Sequence, residues 1–228
     1  MTGLPLIVTR PEPGNAATTG RARAMGFDVR AMPLFAAHPL PWDVPTAENF
    51  DALLLTSAFA VRLAGPALAR LASLPVHAVG AATARAAETA GLTVAKTGGA
   101  DARRLLDDMT SENIREILWL CGRDQTEFAA SGAAITPLPC YAVDPVPPPA
   151  GWAELIAAPA ILLAHSARAA MRISDVVDDA RAHLSIVAIS PAVAAAAGGG
   201  WRGLAIAEQP DDVAILAQAR ALWHKGIK

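Results

Sequence analysis

Residues 51–85 read DALLLTSAFAVRLAGPALARLASLPVHAVGAATAR, in which a short apolar run is twice followed by an alanine-rich helical pattern. The two runs, Ala52 to Leu55 and Val76 to Val79, predict short strands that are buried on both faces. A hydroxyl or a glycine stands at each change from strand to helix, at Ser57 and at Gly80. Because ligands bind at the carboxyl edge of an open α/β sheet, this stretch predicts a binding edge as well as a fold.

The same pattern occurs a second time, in ILLAHSARAA and IVAISPAVAAAA. Ser57 aligns with Ser166 (166 − 57 = 109), and Gly80 aligns with Ser190 (190 − 80 = 110). The parts of the chain that precede the two copies also resemble each other. A period of this length exceeds that of solenoid repeats, so the duplication indicates two similar α/β units.

The remaining pattern links these units by extended chain. Leu4 to Val8 predicts a first strand, and Asn15 is placed to cap a helix that Gly26 ends. Proline-rich segments follow the second strand of each half, at residues 36–45 and 143–149, and predict extended crossings. We therefore expect an α/β fold of two lobes with parallel sheets, joined by two extended links.

Three weaker signals complete the predicted elements. Leu92 to Ala95 predicts a short strand, and Asp101 is placed to cap a helix that ends near Met109. Residues 125–131 predict a helix that is shorter than its counterpart in the first half of the chain.

Composition excludes several classes of function. The net charge is −2 and no block of Lys and Arg is present, which argues against nucleic acid as a partner. Cys121 and Cys140 lie in or beside predicted strands and indicate buried free thiols in a reducing cytosol. No signal-peptide pattern precedes the first strand, and no apolar run is long enough to span a membrane. We expect a cytoplasmic protein.

The signature motifs of many enzyme sites are also missing. No GxGxxG follows a predicted strand, and neither GxxxxGK[ST] nor GxSxG is present. The five histidines show no HExxH or paired spacing. We therefore expect neither a nucleotide cofactor nor a metal.

Hydroxyl groups are what the predicted edge does carry. Ser57, Thr83, Ser166 and Ser190 would face it, and Arg10 would follow the first strand. Hydroxyls, helix N-termini and a guanidinium together suit an anionic ligand. Each serine or threonine can equally be an ordinary helix cap, and the arginine an ordinary surface residue. Their repetition in both halves of the chain favours a binding site.

Several motifs, taken together and in order, resemble the uroporphyrinogen-III synthase family. They are VTRPEPGN, FDALLLTSAFAV, VHAVGAATARAAETAG, PLPCYAVDP, ILLAHSARAA and IVAISPAVAAAA, and they cover nearly the whole chain. The resemblance implies two flavodoxin-like α/β lobes with parallel sheets, joined by a two-stranded extended ladder. Residues 1–37 and 146–228 would form one lobe, and residues 38–145 the other.

The resemblance also implies a reaction. Members of this family convert hydroxymethylbilane, a linear tetrapyrrole rich in carboxylates, to uroporphyrinogen III in heme biosynthesis. Water is lost and the last pyrrole ring is inverted on closure, without a cofactor, so the enzyme would be a cyclising hydro-lyase. Because the substrate also closes unaided to the type I isomer, catalysis would consist mainly of orientation. We expect a monomer whose partner is this small molecule, with no nucleic acid and no membrane.

The resemblance further implies which residues line the site. Tyr141, in the second crossing, would be catalytic by donating a proton or hydrogen bond to the leaving hydroxyl, and packing is its alternative role. The predicted substrate-binding residues are Arg10, Thr56, Ser57, Ala58, Gly80, Thr83, Gly122, Ser166, Ala167 and Ser190.

Three positions depart from the family pattern. The second Thr-Ser element reads His165-Ser166, Val193 stands where the second GxxTA element has threonine, and the loop at residues 122–126 precedes a shortened helix. A non-catalytic binding relative of the same fold is therefore the alternative. A pair of receiver-like signalling domains is a further class, but it needs acidic residues after the first strand, where Arg10 stands.

Overall fold

The computed structural model describes residues 3–99, 101–125 and 132–225. Its strands, in chain order, are β1 (Leu6–Val8), β2 (Val29–Ala31), β3 (Phe35–Pro39), β4 (Ala52–Leu55), β5 (Val76–Val79), β6 (Val94–Gly98), β7 (Glu116–Gly122), β8 (Ala134–Pro145), β9 (Ile161–Ala164), β10 (Ser185–Ala188) and β11 (Gly203–Ile206). Its helices are α1 (Gly14–Ala24), α2 (Ala58–Leu63), α3 (Ala81–Thr89), α4 (Ala102–Ser111), α5 (Trp152–Ile156), α6 (Ala167–Val177), α7 (Pro191–Ala197) and α8 (Asp212–Lys225). The helix predicted over residues 125–131 lies, apart from Gln125, outside the described residues.

The described chain divides into two compact units. The first unit contains the residues up to Ala36 and those from Asp144 onward, and the second unit is Ala37–Val143. The first unit has a sheet in the order β11-β10-β9-β1-β2, and the other sheet has the order β3-β8-β7-β4-β5-β6. The chain passes between the units along β3 and β8, which are neighbours in that sheet. These findings confirm the predicted α/β fold with two parallel sheets and two extended links.

The two sheets share one strand order once the duplicated strands are matched. The order β2-β1-β9-β10-β11 of the first unit corresponds to β8-β7-β4-β5-β6 of the second. Both follow the flavodoxin-like order 2-1-3-4-5, although the second unit begins at its third strand along the chain. Strand order reverses between β1 and β9 and between β7 and β4. The carboxyl ends of these two strand pairs are therefore where a ligand is expected.

Strand β4 shows how the sheet of the second unit is buried on both faces. All four of its residues have no exposed surface, as the apolar run predicted. Leu53 and Leu55 pack in a cluster with Val61 of α2, whereas Leu54 packs with Leu105 of α4 on the opposite face. Alternate strand residues point to opposite faces, so a continuous apolar run supplies both cores.

The first helix begins differently from the prediction. Pro13 precedes α1 and has no side chain that can cap it, and the Glu12 carboxylate accepts a hydrogen bond from the Ala16 N–H in the first turn at 3.0 Å. The Asn15 carboxamide instead donates to the carbonyl oxygens of Val8 and Arg10, at 2.9 and 3.0 Å. The predicted cap at Asn15 is therefore wrong, because this side chain ties the helix to the end of β1. Gly26 lies just beyond the helix with φ of +83°, as its predicted role requires.

The other local predictions hold with small shifts. Asp101 caps α4 by accepting a hydrogen bond from the Arg103 N–H at 2.9 Å. The strand predicted over Leu92 to Ala95 begins later, since β6 starts at Val94. In the described part of the chain, none of the helices combines the length and the apolar character needed to cross a membrane.

The two cysteines are buried free thiols, as predicted. Cys121 is 1% exposed and Cys140 has no exposed surface. Burial raises the pKa of Cys121 to about 11 and that of Cys140 to about 12. Neither group is a thiolate at neutral pH, so both act as packing residues.

Candidate functional site

The carboxyl end of β4 carries two hydroxyl groups with structural partners. Ser57 caps α2 by accepting a hydrogen bond from the Phe59 N–H at 3.2 Å. Thr56 Oγ1 accepts a hydrogen bond from Trp119 Nε1 at 3.1 Å, which joins the end of β4 to β7. Both residues are half-buried. Because a hydroxyl that accepts one bond still has its own O–H, each can also donate to a ligand.

Tyr141 lies close to these hydroxyls in the same unit. Its ring is half-buried and its centroid is 5.7 Å from that of Phe59. Burial raises the pKa of the phenol, and the nearby Ser57 side chain lowers it only in part. The phenol is therefore protonated at neutral pH and can donate a hydrogen bond.

Gly122 makes room for that ring. A Cβ built on Gly122 would lie 2.9 Å from Cζ of Tyr141 and 3.1 Å from its hydroxyl oxygen. Real Cβ atoms do not approach other atoms so closely, so any side chain at this position would displace the phenol. The end of β7 and the crossing strand β8 therefore pack closely where Gly122 meets the Tyr141 ring.

Gly80 and Thr83 follow β5, the next strand of the second unit. Gly80 is the residue before α3, with φ of +80°, and no side chain caps this helix. A positive φ is easily adopted only by glycine, which explains the residue type. Thr83 lies in the first turn and is 5% exposed, so its hydroxyl offers little surface to a ligand. The backbone N–H groups of this first turn are the main polar feature that this strand end presents.

The first unit presents a charged cluster at the equivalent edge. We call it the Asp212 cluster, and its members are Arg10, Thr18, Arg21, His165 and Asp212. The two oxygens of the Asp212 carboxylate accept hydrogen bonds from Arg10 Nη1 at 2.9 Å and from Thr18 Oγ1 at 2.8 Å. His165 Nε2 lies 3.1 Å from Oδ1, and Arg21 also pairs with this carboxylate. One carboxylate therefore joins the ends of β1 and β9 to α1 and α8.

Electrostatics determine the protonation states in this cluster. Burial alone would raise the pKa of Asp212, but the hydrogen bonds that it accepts and the charge of Arg10 outweigh burial and hold the pKa below its usual range. Burial lowers the pKa of His165, and its bond to Asp212 offsets this only in part. At neutral pH the imidazole is therefore neutral, and Nε2–H donates to an ionised carboxylate. Its buried Nδ1 has no partner among the residues that the structure describes.

Comparison with known proteins identifies the family. A family model described as Uroporphyrinogen-III synthase HemD matches residues 16–217. The chain belongs to the uroporphyrinogen-III synthase family. The predicted resemblance is thereby confirmed, and the family is an enzyme family of heme biosynthesis.

Solved structures of uroporphyrinogen-III synthases share its fold. Uroporphyrinogen-III synthetase from Helicobacter pylori gives a TM-score of 0.67 at 16% identity, over 96% of this chain and 99% of that one. A mutant uroporphyrinogen III synthase from Thermus thermophilus gives a TM-score of 0.52 at 20% identity, over 96% of this chain and 98% of that one. Comparison with curated protein sequences gives no match.

The second unit brings several of the predicted substrate-site residues together. Thr56 and Ser57 lie at the end of β4, and Gly122 and Tyr141 lie near them. Ala58 is the first residue of α2 and is half-buried.

In the first unit, the predicted serines are separate helix caps. Ser166 accepts a hydrogen bond from the Ala169 N–H at 3.1 Å, and Ser190 accepts one from the Val193 N–H at 3.4 Å. Ala167 is the exposed first residue of α6. These positions therefore carry the capping role that the sequence left open beside ligand binding.

Sequence reasoning missed the residue that organises the first unit's edge. Asp212 follows Asp211, which caps α8 by accepting a hydrogen bond from the Ala214 N–H at 2.8 Å. One carboxylate suffices for that cap. The adjacent Asp212 was therefore the feature of the sequence that could have indicated a second role for an acid at this position. Asp212 also accounts for His165, the departure from the family's Thr-Ser element, by giving its ring a partner.

Proposed function

We propose that the protein is a uroporphyrinogen-III synthase that closes hydroxymethylbilane to uroporphyrinogen III. The hydroxymethyl C–O bond breaks, water leaves, and the last pyrrole ring is inverted as the macrocycle closes. Family membership supports this reaction class. The observation that carries the proposal is the protonated Tyr141 phenol, held over Gly122 beside the Ser57 hydroxyl at a carboxyl edge.

The environment of Tyr141 favours one form of assistance. A departing hydroxyl needs a hydrogen-bond donor, which a neutral phenol supplies. Burial raises the pKa of Tyr141 and so disfavours a phenolate. We therefore assign Tyr141 the donation of a hydrogen bond to the leaving oxygen. The tyrosine keeps its proton, and the proton that completes the departing water is the one that the substrate itself loses in the net reaction.

The remaining predicted residues would bind and orient the substrate. Its carboxylates meet a protein of net charge −2, so attraction has to be local rather than global. Hydroxyls at Thr56 and Ser57 and the first turn of α3 after Gly80 can supply hydrogen bonds to carboxylates. Orientation of this kind suits a reaction that also occurs unaided. We further propose that the two units act as the family's two lobes, in a cytoplasmic monomer without a cofactor.

Product analysis tests the reaction directly. Purified protein is given hydroxymethylbilane, and the type I and type III uroporphyrinogens are separated after oxidation, with heat-inactivated protein as the control. We expect type III to dominate with native protein and type I with the control. Type I alone, formed at the control rate, would reject the proposal.

One observation favours the alternative, a binding relative without catalysis. The Arg10 guanidinium, predicted to contact substrate, is already paired with Asp212. Under that alternative, the native protein would bind a polycarboxylate porphyrin such as uroporphyrin, followed by fluorescence, and would form no type III product.

A further inference from the structure

A groove on the second unit lies between α2 and α3. Its volume is about 360 Å³, and Val61, Ala82 and Ala86 form apolar parts of its wall. Two arginines, Arg62 and Arg85, line the same groove, one from each helix. An apolar wall with two cations beside it suits a ligand that carries anionic groups on short apolar stems.

The two arginines occupy equivalent positions. Arg62 is the fifth residue after Ser57, which caps α2, and Arg85 is the fifth residue after Gly80, which precedes α3. Cα–Cβ bonds in a helix tilt toward its N-terminus, so both side chains start in the direction of the sheet's carboxyl edge. That edge carries the proposed reaction site.

Both guanidinium groups are available to a ligand. Each residue is exposed, and neither forms an ion pair or side-chain hydrogen bond with any residue that the structure describes. Residues 52–87 contain Arg62, Arg70 and Arg85 but no Asp or Glu. This stretch is locally positive in a protein of net charge −2. Helix α2 has no acid and α3 has one, Glu88 near its C-terminal end, so a carboxylate in the groove meets two guanidinium groups against a single carboxylate of these helices.

The duplicated unit lacks this pair. The fifth residue after Ser166 is Met171, and the fifth residue after Ser190 is Ala195. The first unit's Arg10 is also neutralised by Asp212. Unpaired positive charge at these positions therefore belongs to the second unit alone.

We propose that Arg62 and Arg85 form a carboxylate clamp, which binds peripheral acid side chains of the tetrapyrrole with their methylene stems against Val61 and Ala86. The clamp rests on the proposed function for the identity of its ligand. Its role is binding, because the arginines hold acid groups rather than the carbon at which the macrocycle closes. It therefore affects KM and leaves kcat nearly unchanged.

Kinetics of Arg62→Gln and Arg85→Gln test the clamp. Each loses a charge-assisted contact at an exposed site, so we expect KM for hydroxymethylbilane to rise about three- to tenfold, with kcat within about twofold. The double variant should show the larger rise and a weaker dependence of KM on salt up to about 0.3 M. Arg70→Gln is the matched control, since it removes the third arginine of the acid-free stretch outside the groove. An equal effect of Arg70→Gln, or an unchanged KM in the double variant, would overturn the clamp.

Binding of uroporphyrin separates failure of the clamp from failure of the proposed function. If the native protein forms no type III product, the proposed function fails, but the double variant should still bind uroporphyrin at least about tenfold more weakly than the native protein. Equal affinity in a double variant that melts like the native protein would remove the clamp alone. Citrate at matched ionic strength tests a free small carboxylate as the occupant. Citrate binding as tight as that of uroporphyrin would also overturn the proposal.

Discussion

The phenol ring of Tyr141 lies so close to Gly122 that a Cβ on the glycine would come within 2.9 Å of the ring's Cζ. The two residues are register partners in β7 and β8, beside an irregularity in strand pairing that follows Cys121. The Arg123 N–H also donates to the Tyr141 carbonyl oxygen at 2.9 Å, which holds the backbone of the tyrosine in place. The glycine is therefore part of what positions the phenol.

Gly122→Ala should displace the ring without removing it. We expect type III formation to slow by about 10- to 100-fold, because a misplacement of about 1 Å has effects of that size. Overpacking should also lower the free energy of unfolding by about 1–3 kcal/mol. Initial rates and a melting curve measure both effects. Gly20→Ala is the control, since a Cβ there meets nothing within 4 Å. A Gly122→Ala protein with native rates would show that the ring's position does not matter.

Tyr141→Phe keeps the ring and removes the hydroxyl. We expect the melting temperature to stay nearly unchanged and type III formation to slow by about 10²-fold. Spontaneous closure would then compete, so the fraction of type I product should rise. Burial raises the pKa of the phenol above its ordinary value of about 10, so phenol ionisation should not reduce the native rate below that pH. Native turnover by this variant would return Tyr141 to a packing role.

Asp212→Asn should destabilise the first unit. It leaves Arg10 without its ionic partner, at a cost of about 2–3 kcal/mol, less than for a fully buried pair because Arg10 is 33% exposed. The folded-state pKa of Asp212 is lowered, so its stabilisation is present above the unfolded pKa of about 3.9 and is lost as pH falls through the folded value.

Melting curves of native and Asp212→Asn protein should therefore differ most near neutral pH and converge in acid. Asp211→Asn is the matched control, because asparagine caps a helix about as well as aspartate and the change should be nearly neutral. Equal melting temperatures of the native and Asp212→Asn proteins at neutral pH would contradict the assigned role of the Asp212 cluster.

His77→Val should make the protein less sensitive to acid. His77 is 2% exposed on β5, its Nδ1 has no partner among the described residues, and burial lowers its pKa. Below about pH 6.5 the unfolded chain takes up a proton at this histidine that the folded chain does not. The free energy of unfolding of the native protein therefore decreases as the pH is lowered. The duplicated position holds Val187 (187 − 77 = 110), which indicates that valine suits this place.

The measurement is the melting temperature from about pH 8 to about pH 5, on either side of the ordinary histidine pKa. At about pH 8 residue 77 is uncharged in both proteins, and the melting temperature of the variant should equal or exceed that of the native protein. The difference should grow as pH falls below about 6.5. A constant difference over this range would show that His77 does not titrate differently in the folded and unfolded states.

Local patterns explain which elements could be predicted from the sequence. The bounds of β4 and β5 agree with the apolar runs residue for residue, because each run ends where a hydroxyl or glycine begins the next helix. Ser57, Asp101 and Ser190 cap helices because the side chain and the N–H it accepts from lie within three residues. Asn15 also stands next to free helix N–H groups, but its NH2 group donates to the carbonyl oxygens of Val8 and Arg10, and its Oδ1 accepts from Thr19 Oγ1 at 3.2 Å. Which partner wins depends on how helix and strand pack.

The sequence by itself determined the family, the duplicated α/β pattern, the two extended crossings and most helix caps, since periodicity and capping act over a few residues. Only the tertiary structure decided which charges are neutralised and which side chain lies against which backbone. Arg10 and Asp212 are 202 residues apart in the chain and 2.9 Å apart in space. Gly122 and Tyr141 are brought together by the pairing of two strands. Contacts of this kind depend on the packing of distant segments, which no local spacing of residues encodes.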